Sequence, residues 1–204
     1  MIGQMVRTLT RTEIRILEIL MEEMDRTACS SVKNPSVIGL IGVMGSGKST
    51  LARYFAEQLS AVIIDEQRIR SMIYAAAMET PGSQASVETI MKHALYAALI
   101  AHRNVVWDTD CVYLNDQLRL RALALPFTHR VRFAHVICSD FSKLQQRVGP
   151  QSGPQFNASL AHHYKRSRNE YKLFPQPWYL QPPIDTASPQ WSLFANRFLE
   201  TTVY

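Results

Sequence analysis

Apolar residues along this chain fall into two alternating patterns, and the alternation predicts the fold class. Val37-Ile38-Gly39-Leu40-Ile41 is a short unbroken run rich in β-branched residues, as expected of a strand buried on both faces. Comparable runs at 61–65, 104–108 and 131–138 predict three more strands, and a fifth is expected near Ile184. Between them the period lengthens. Leu51, Phe55 and Leu59 fall on one face of a helix over 50–59. Helical spacing returns over 68–78, 87–102, 114–125, 157–171 and 190–200, and Asp140 is placed to cap a short helix through Arg147. Breaks containing Pro or Gly at 80–83, 149–154 and 175–183 punctuate the series. Strands alternating with helices imply a parallel sheet covered on both faces. The expected fold is α/β, with three layers around a five-stranded, mostly parallel sheet.

One helix precedes the first strand. Thr10-Arg11-Thr12-Glu13 has the form of a capping box, with Thr10 as N-cap and Glu13 reaching back to it. The helix it opens should run to about Met24, with Ile14, Leu17, Leu20 or Met21, and Met24 as its apolar stripe. Residues 1–34 are therefore expected to be a helical extension and linker packed on a single domain over 35–204.

The stretch after the first strand, Gly42-Val43-Met44-Gly45-Ser46-Gly47-Lys48-Ser49, fits G-x-x-x-x-G-K-[ST] at every fixed position. Its context is the required one, a buried strand before and a helix after. Glycines let the backbone wrap closely, so that successive N–H groups and the helix N-terminus point at phosphate oxygens. Gly42, Gly45, Ser46, Gly47, Lys48, Ser49 and Thr50 are the expected nucleotide-binding residues. Lys48 would reach the β- and γ-phosphates, and the Ser49 hydroxyl would ligate Mg²⁺. The expected fold is thus of the P-loop NTPase type, and ATP and Mg²⁺ are its expected cofactors.

Ligands of such sheets gather beyond the carboxyl ends of the strands, where Asp65 and Asp108 also lie. Phosphoryl transfer needs cradled phosphates, a metal site, a group to position or deprotonate the acceptor, and positive charge over the moving phosphoryl. Asp65 or Asp108 can take the acceptor role while the other holds magnesium. Arg147 precedes the loop at 149–154 and is the candidate for charge that closes over the γ-phosphate. Lys48, Asp65 and Arg147 are accordingly the expected catalytic residues. Asp108 is assigned to the substrate and, with Ser49, to the metal. Each has a plainer alternative: the aspartates as caps of the following helices, and Arg147 as a solvated residue favoured by its helix dipole. Asp110 and Asp116 are expected to be turn or cap residues.

Composition adds two points. Apolar residues make up 47% of the 204 residues and charged ones 19%, ordinary values for a globular chain, and no apolar run is long enough to span a bilayer. Cys29, Cys111 and Cys138 are odd in number and widely spaced, His162-His163 lacks zinc-ligand spacing, and the first apolar helix is broken by Glu13, Arg15 and Glu18. A cytoplasmic location with reduced thiols is expected. The formal net charge is +5, and between Arg119 and Lys172 many Arg and Lys are opposed only by Asp140 and Glu170. That asymmetry suits either a polyanionic partner or a solvated basic face.

Residues 42–50 together with Asp65-Glu66-Gln67-Arg68 resemble the small P-loop kinase group that includes polynucleotide 5′-hydroxyl kinases, zeta toxins and chloramphenicol phosphotransferases. The resemblance implies that Asp65 activates an acceptor hydroxyl and that Arg68 contacts a substrate phosphate. Val105-Val106-Trp107-Asp108-Thr109-Asp110 resembles the group's D-T-N or D-A-T element, with Asp110 in place of the usual Asn. Leu144-Gln145-Gln146-Arg147 resembles the start of its lid, and 160–171, with Tyr164-Lys165-Arg166, the helix beyond; 148–157 carries no cation, unlike the usual lid, so Arg166 or Arg168 would have to swing in for the lid to be complete. The resemblance covers residues 37–171 and implies that the domain over 35–204 is a kinase; Arg68 and the basic C-terminal half make a polynucleotide or nucleotide-type hydroxyl the first-choice acceptor. A small-molecule hydroxyl is the alternative, and a nucleotide-binding regulatory protein without catalysis is the alternative of another class. No N-K-x-D or D-x-x-G element of a GTPase switch is present, and Asp108 lacks the acidic neighbour usual in AAA-type motors.

Overall fold

The structure is a computed structural model and describes residues 9–26, 31–77, 84–109, 111, 113–148 and 182–201. Five strands, β1 (Val37–Ile41), β2 (Val62–Asp65), β3 (Val105–Asp108), β4 (Val131–Ile137) and β5 (Ile184–Asp185), form one sheet in the order β2-β3-β1-β4-β5. Every pairing is parallel. The helices are α1 (Arg11–Arg26), α2 (Lys48–Leu59), α3 (Glu66–Ala77), α4 (Gln84–Ile100), α5 (Leu114–Ala124), α6 (Phe141–Val148) and α7 (Trp191–Glu200). The predicted strands and helices therefore stand within a few residues of their expected places. The expected helix over 157–171, the lid loop, and Cys29, Asp110, His162-His163, Tyr164, Lys165, Arg166 and Arg168 lie outside the described residues.

β1 is the centre of the sheet, pairing with β3 through Val37–Gly39 and with β4 along its whole length. All five of its residues are buried, as its unbroken apolar run requires when both faces are covered. On one face Ile38 and Leu40 pack with Leu51 and Phe55 of α2 and Phe198 of α7. The Phe55 and Phe198 rings stack with centroids 5.4 Å apart. The other face meets α1, α3, α4 and α5 through Leu17, Ile69, Leu95 and Leu120. Buried Asn104 ties the amino ends together: its Oδ1 accepts from Ser36 N and Oγ, both at 2.9 Å, and its Nδ2 donates to Leu59 O at 3.0 Å.

Two details of α1 refine its expected shape. The capping box is formed, Glu13 Oε2 accepting from Thr10 N at 2.7 Å and Thr10 Oγ1 from Glu13 N at 3.2 Å. The inward stripe, however, is Glu13, Ile16, Leu17, Leu20 and Met24, while Ile14 and Met21 are 44% and 47% exposed. Because Glu13 satisfies its carboxylate on the cap, it can face inward, and the helix rotates to bury Ile16 instead of Ile14. The stripe packs into the same core as α3 and α4, so the N-terminal helix shares the domain's hydrophobic cluster.

Phe55 is fully buried. Phe55→Ala should therefore cost about 3–5 kcal/mol through lost transfer energy and the cavity left behind, read as a lower urea midpoint.

Candidate active site

The loop between β1 and α2 turns on two glycines that accept no side chain. Gly47, the N-cap of α2, has φ +96°, and a Cβ there would sit 2.8 Å from the Thr186 side chain. Gly42 leaves room for the β4 backbone, since a Cβ would lie 2.5 Å from Val136 O. The chain wraps tightly enough for Ser46 N to donate to Val43 O at 3.1 Å before the helix begins. Lys48 is buried, and its Nζ donates to Gly42 O at 2.9 Å and Val43 O at 3.0 Å. The ammonium is thus held over the loop, at the N-terminal end of α2, whose first turn is closed by Thr50 N donating to Gly47 O at 3.1 Å.

A cavity of about 540 Å³ lies over this loop, lined by Gly45, Gly47, Lys48, Ser49 and Thr50, by Asp65, Glu66 and Gln67 after β2, by Asp108 and Thr109 after β3, and by Arg147. The strand register sets the two carboxylates side by side, Asp65 opposite Asp108. Asp65 Oδ1 accepts the N–H of Arg68 at 3.1 Å, so it caps α3 and faces the cavity at once. Asp108 is 5% exposed. Arg147 stands in the last turn of α6, and its guanidinium reaches back to Gly45 O at 3.2 Å and Thr186 Oγ1 at 2.8 Å. Of the expected nucleotide-binding residues, Gly42 and Ser46 are buried beneath the loop and the rest line the cavity.

Arg68 is placed elsewhere. Its guanidinium pairs with Glu23 of α1, in a groove with Leu20, Met24 and Ile63, away from the phosphate-loop cavity. The basic residues from Arg119 onward do not share a face among the described residues. Arg119 pairs with Glu88, Arg121 donates to Val131 O, Arg130 lies at the amino end of β4, and Arg132 stacks over Phe198. Burial lowers the Arg121 and Arg132 pKa values from their ordinary range. Asp116 lies in the first turn of α5.

Sequence reasoning missed Asp185, the last residue of β5, and Thr186, which follows it. The Thr186 hydroxyl donates to Ser46 O at 2.6 Å while accepting from Arg147, so one side chain fastens both the phosphate loop and α6. Asp185 Oδ1 accepts from Ser139 N and Ala187 N, each at 3.0 Å. Burial pushes the Asp185 carboxyl up, but these donors and the Lys143 charge outweigh it and hold it below the ordinary carboxylate range. The strand-end rule that selected Asp65 and Asp108 would have found Asp185 had the bounds of so short a strand been legible.

Among the described residues no group of three or more His, Cys, Asp or Glu could hold a metal by itself. Ser49 and Asp108 offer hard oxygen donors on one cavity, which fits Mg²⁺, an ion held by one or two protein oxygens together with substrate phosphates. No helix of the described residues is long and apolar enough to cross a membrane.

The chain belongs to the AAA domain family, whose model matches residues 37–170. No curated protein matches it. Among solved structures it is similar to a chain of the PezAT chromosomal toxin-antitoxin system of Streptococcus pneumoniae, with 17% identity and a TM-score of 0.55 over 82% of this chain and 76% of that one. It is also similar to a chain of the Pnkp1/Rnl/Hen1 RNA repair complex, with 20% identity and a TM-score of 0.54 over 71% of this chain but only 48% of the other. A sugar kinase from Janibacter gives 14% identity and a TM-score of 0.52 over 81% and 93%. The fold is that of a P-loop kinase-like domain.

Thr186→Val, which keeps the shape and removes the hydroxyl, should cost about 1–3 kcal/mol in urea unfolding by stranding Ser46 O and one Arg147 N–H. Asp185 has its folded pKa depressed, so its contribution is present above the unfolded value of about 3.9 and lost as pH falls through the folded one. Asp185→Asn should therefore destabilise the protein at pH 7, and the difference should shrink as pH falls below about 3.9; equal stability of the two at pH 7 would contradict this.

Proposed function

We propose that this protein is an ATP- and Mg²⁺-dependent phosphotransferase that moves the γ-phosphoryl group to a hydroxyl acceptor. The observation that carries the reading is that Lys48, Ser49, Asp65, Asp108 and Arg147 line one cavity at the carboxyl edge of the sheet. Gly45, Gly47 and the first turn of α2 would cradle the phosphates through backbone N–H groups. Lys48 would place its charge on the β- and γ-phosphates. Asp65 would accept the proton of the attacking hydroxyl, and Arg147, fixed on Gly45 and Thr186, would offset charge on the transferring phosphoryl. Ser49 and Asp108 would hold the Mg²⁺, whose chemistry when bound is to bridge phosphate oxygens and offset their charge.

A polynucleotide acceptor draws support from the similarity to a chain of an RNA repair complex. Its residue-level basis is Arg68 together with the basic C-terminal half, and the Arg68 side chain is engaged with Glu23 outside the cavity. The acceptor is therefore sought among all hydroxyl classes, small molecules included.

Purified protein incubated with Mg²⁺ and γ-labelled ATP over DNA, RNA and small-molecule acceptors tests the reading. Lys48→Ala should lower transfer by about 10²–10³-fold. Asp65→Asn keeps a good N-cap for α3 while removing the base, so it should lower transfer by about 10²–10⁴-fold with the fold intact. Transfer by Asp65→Asn within a few-fold of wild type would sink the role of Asp65. ATP binding without transfer to any acceptor would favour a regulatory nucleotide-binding protein.

A further inference from the structure

A second cavity of about 300 Å³ opens between α3, α4 and α5 and shares Glu66 and Thr109 with the phosphate-loop cavity. Its rim is a chain of hydrogen bonds across three helices. Arg70 bridges Glu66 Oε1 at 2.5 Å and Gln84 Oε1 at 2.7 Å, Gln84 Nε2 donates to Glu88 Oε1 at 3.3 Å, and Glu88 Oε2 accepts from Arg119 at 2.5 Å. The inner wall is apolar, formed by Met91, Trp107, Leu120 and Leu123.

The charges of this lining exclude one class of ligand and suit another. The lining carries three carboxylates (Glu66, Glu88, Asp116) and two cations (Lys92, Arg119), and Arg70 on the rim adds a third cation, paired with Glu66. All three are already engaged, Arg70 on Glu66, Arg119 on Glu88 and Lys92 over the Tyr96 ring, 5.6 Å from its centroid. A phosphate or carboxylate entering here would have to draw these cations away from the partners they already hold. A hydroxyl both donates and accepts, so it can join the rim without a net charge. The apolar wall can take the carbon face of a ring, and the volume is at the small end of ligand pockets.

We propose that this cavity is the acceptor pocket and that the acceptor is a compact, uncharged polyol about the size of one sugar ring. The proposal rests on the kinase reading above. In the reaction, the acceptor O–H gives its proton to the Asp65 carboxylate and its oxygen bonds to the γ-phosphorus. The bond from that phosphorus to the β–γ bridging oxygen breaks, ADP leaves with the bond's electrons, and Asp65 returns the proton to water.

The test offers the full chain γ-labelled ATP and Mg²⁺ with three sets of acceptors: neutral hexoses, pentoses and inositols; sugar phosphates and sugar acids; and 5′-hydroxyl DNA and RNA oligonucleotides. Label is expected on a member of the first set. Two variants locate its site. Leu123→Trp fills the pocket, and Glu88→Gln breaks the rim while keeping its shape. Each should raise the KM of that acceptor about tenfold or more while moving the KM of ATP by less than about twofold. Should Leu123→Trp not fold, Glu88→Gln alone decides. Label confined to the second or third set, or a neutral acceptor whose KM ignores the folded variants, would overturn the pocket while leaving the kinase reading standing. Label in no set would overturn both.

Discussion

The structure depends on the burial of β1 between β3 and β4 with all neighbours parallel. A strand hydrogen-bonded on both edges and covered on both faces cannot shift its register without turning its apolar set against the wrong layer. Its carboxyl end is therefore fixed in space, and the phosphate loop leaves from that fixed point. Parallel pairing then brings the ends of β2 and β3 to the same edge, so that Asp65 and Asp108 face the loop without any specific contact having to recruit them.

Several side chains at this edge hold the structure together and also line the cavity or its loop. Asp65 caps α3 and lines the cavity. Arg147 sits where a cation suits the end of its helix, and it also anchors the phosphate loop. For such residues the plain alternative does not compete with the proposed role, because a cap or a helix-end charge uses only part of the group's bonding capacity. Thr186 supplies the remaining constraint, holding the loop from the far side of the sheet through one hydroxyl.

Charge behaves differently. The run of basic residues from Arg119 looks like a polyanion face in one dimension, yet the fold sends those of its members that lie among the described residues to both ends of the sheet and to α4 and α7. Arg68 shows the same effect at one position. It follows Asp65 at the spacing of a kinase element, but the α3 geometry that lets Asp65 cap its N–H turns the side chain toward Glu23.

The sequence by itself determined what short-range physics decides. Unbroken apolar runs gave the strands, three-and-four spacing gave the helices, Thr10 and Glu13 gave the first cap, and the glycine spacing before Lys48 gave the phosphate loop. Which way α1 rotates, where Arg68 points, and that Thr186 closes on Ser46 were decided only in the tertiary structure. The second cavity, with Glu88 and Arg119 on its rim, belongs to the same group. Each of these joins residues far apart in the chain, or weighs one side chain's partners against another's. Local periodicity carries no record of contacts made across the sheet or between helices.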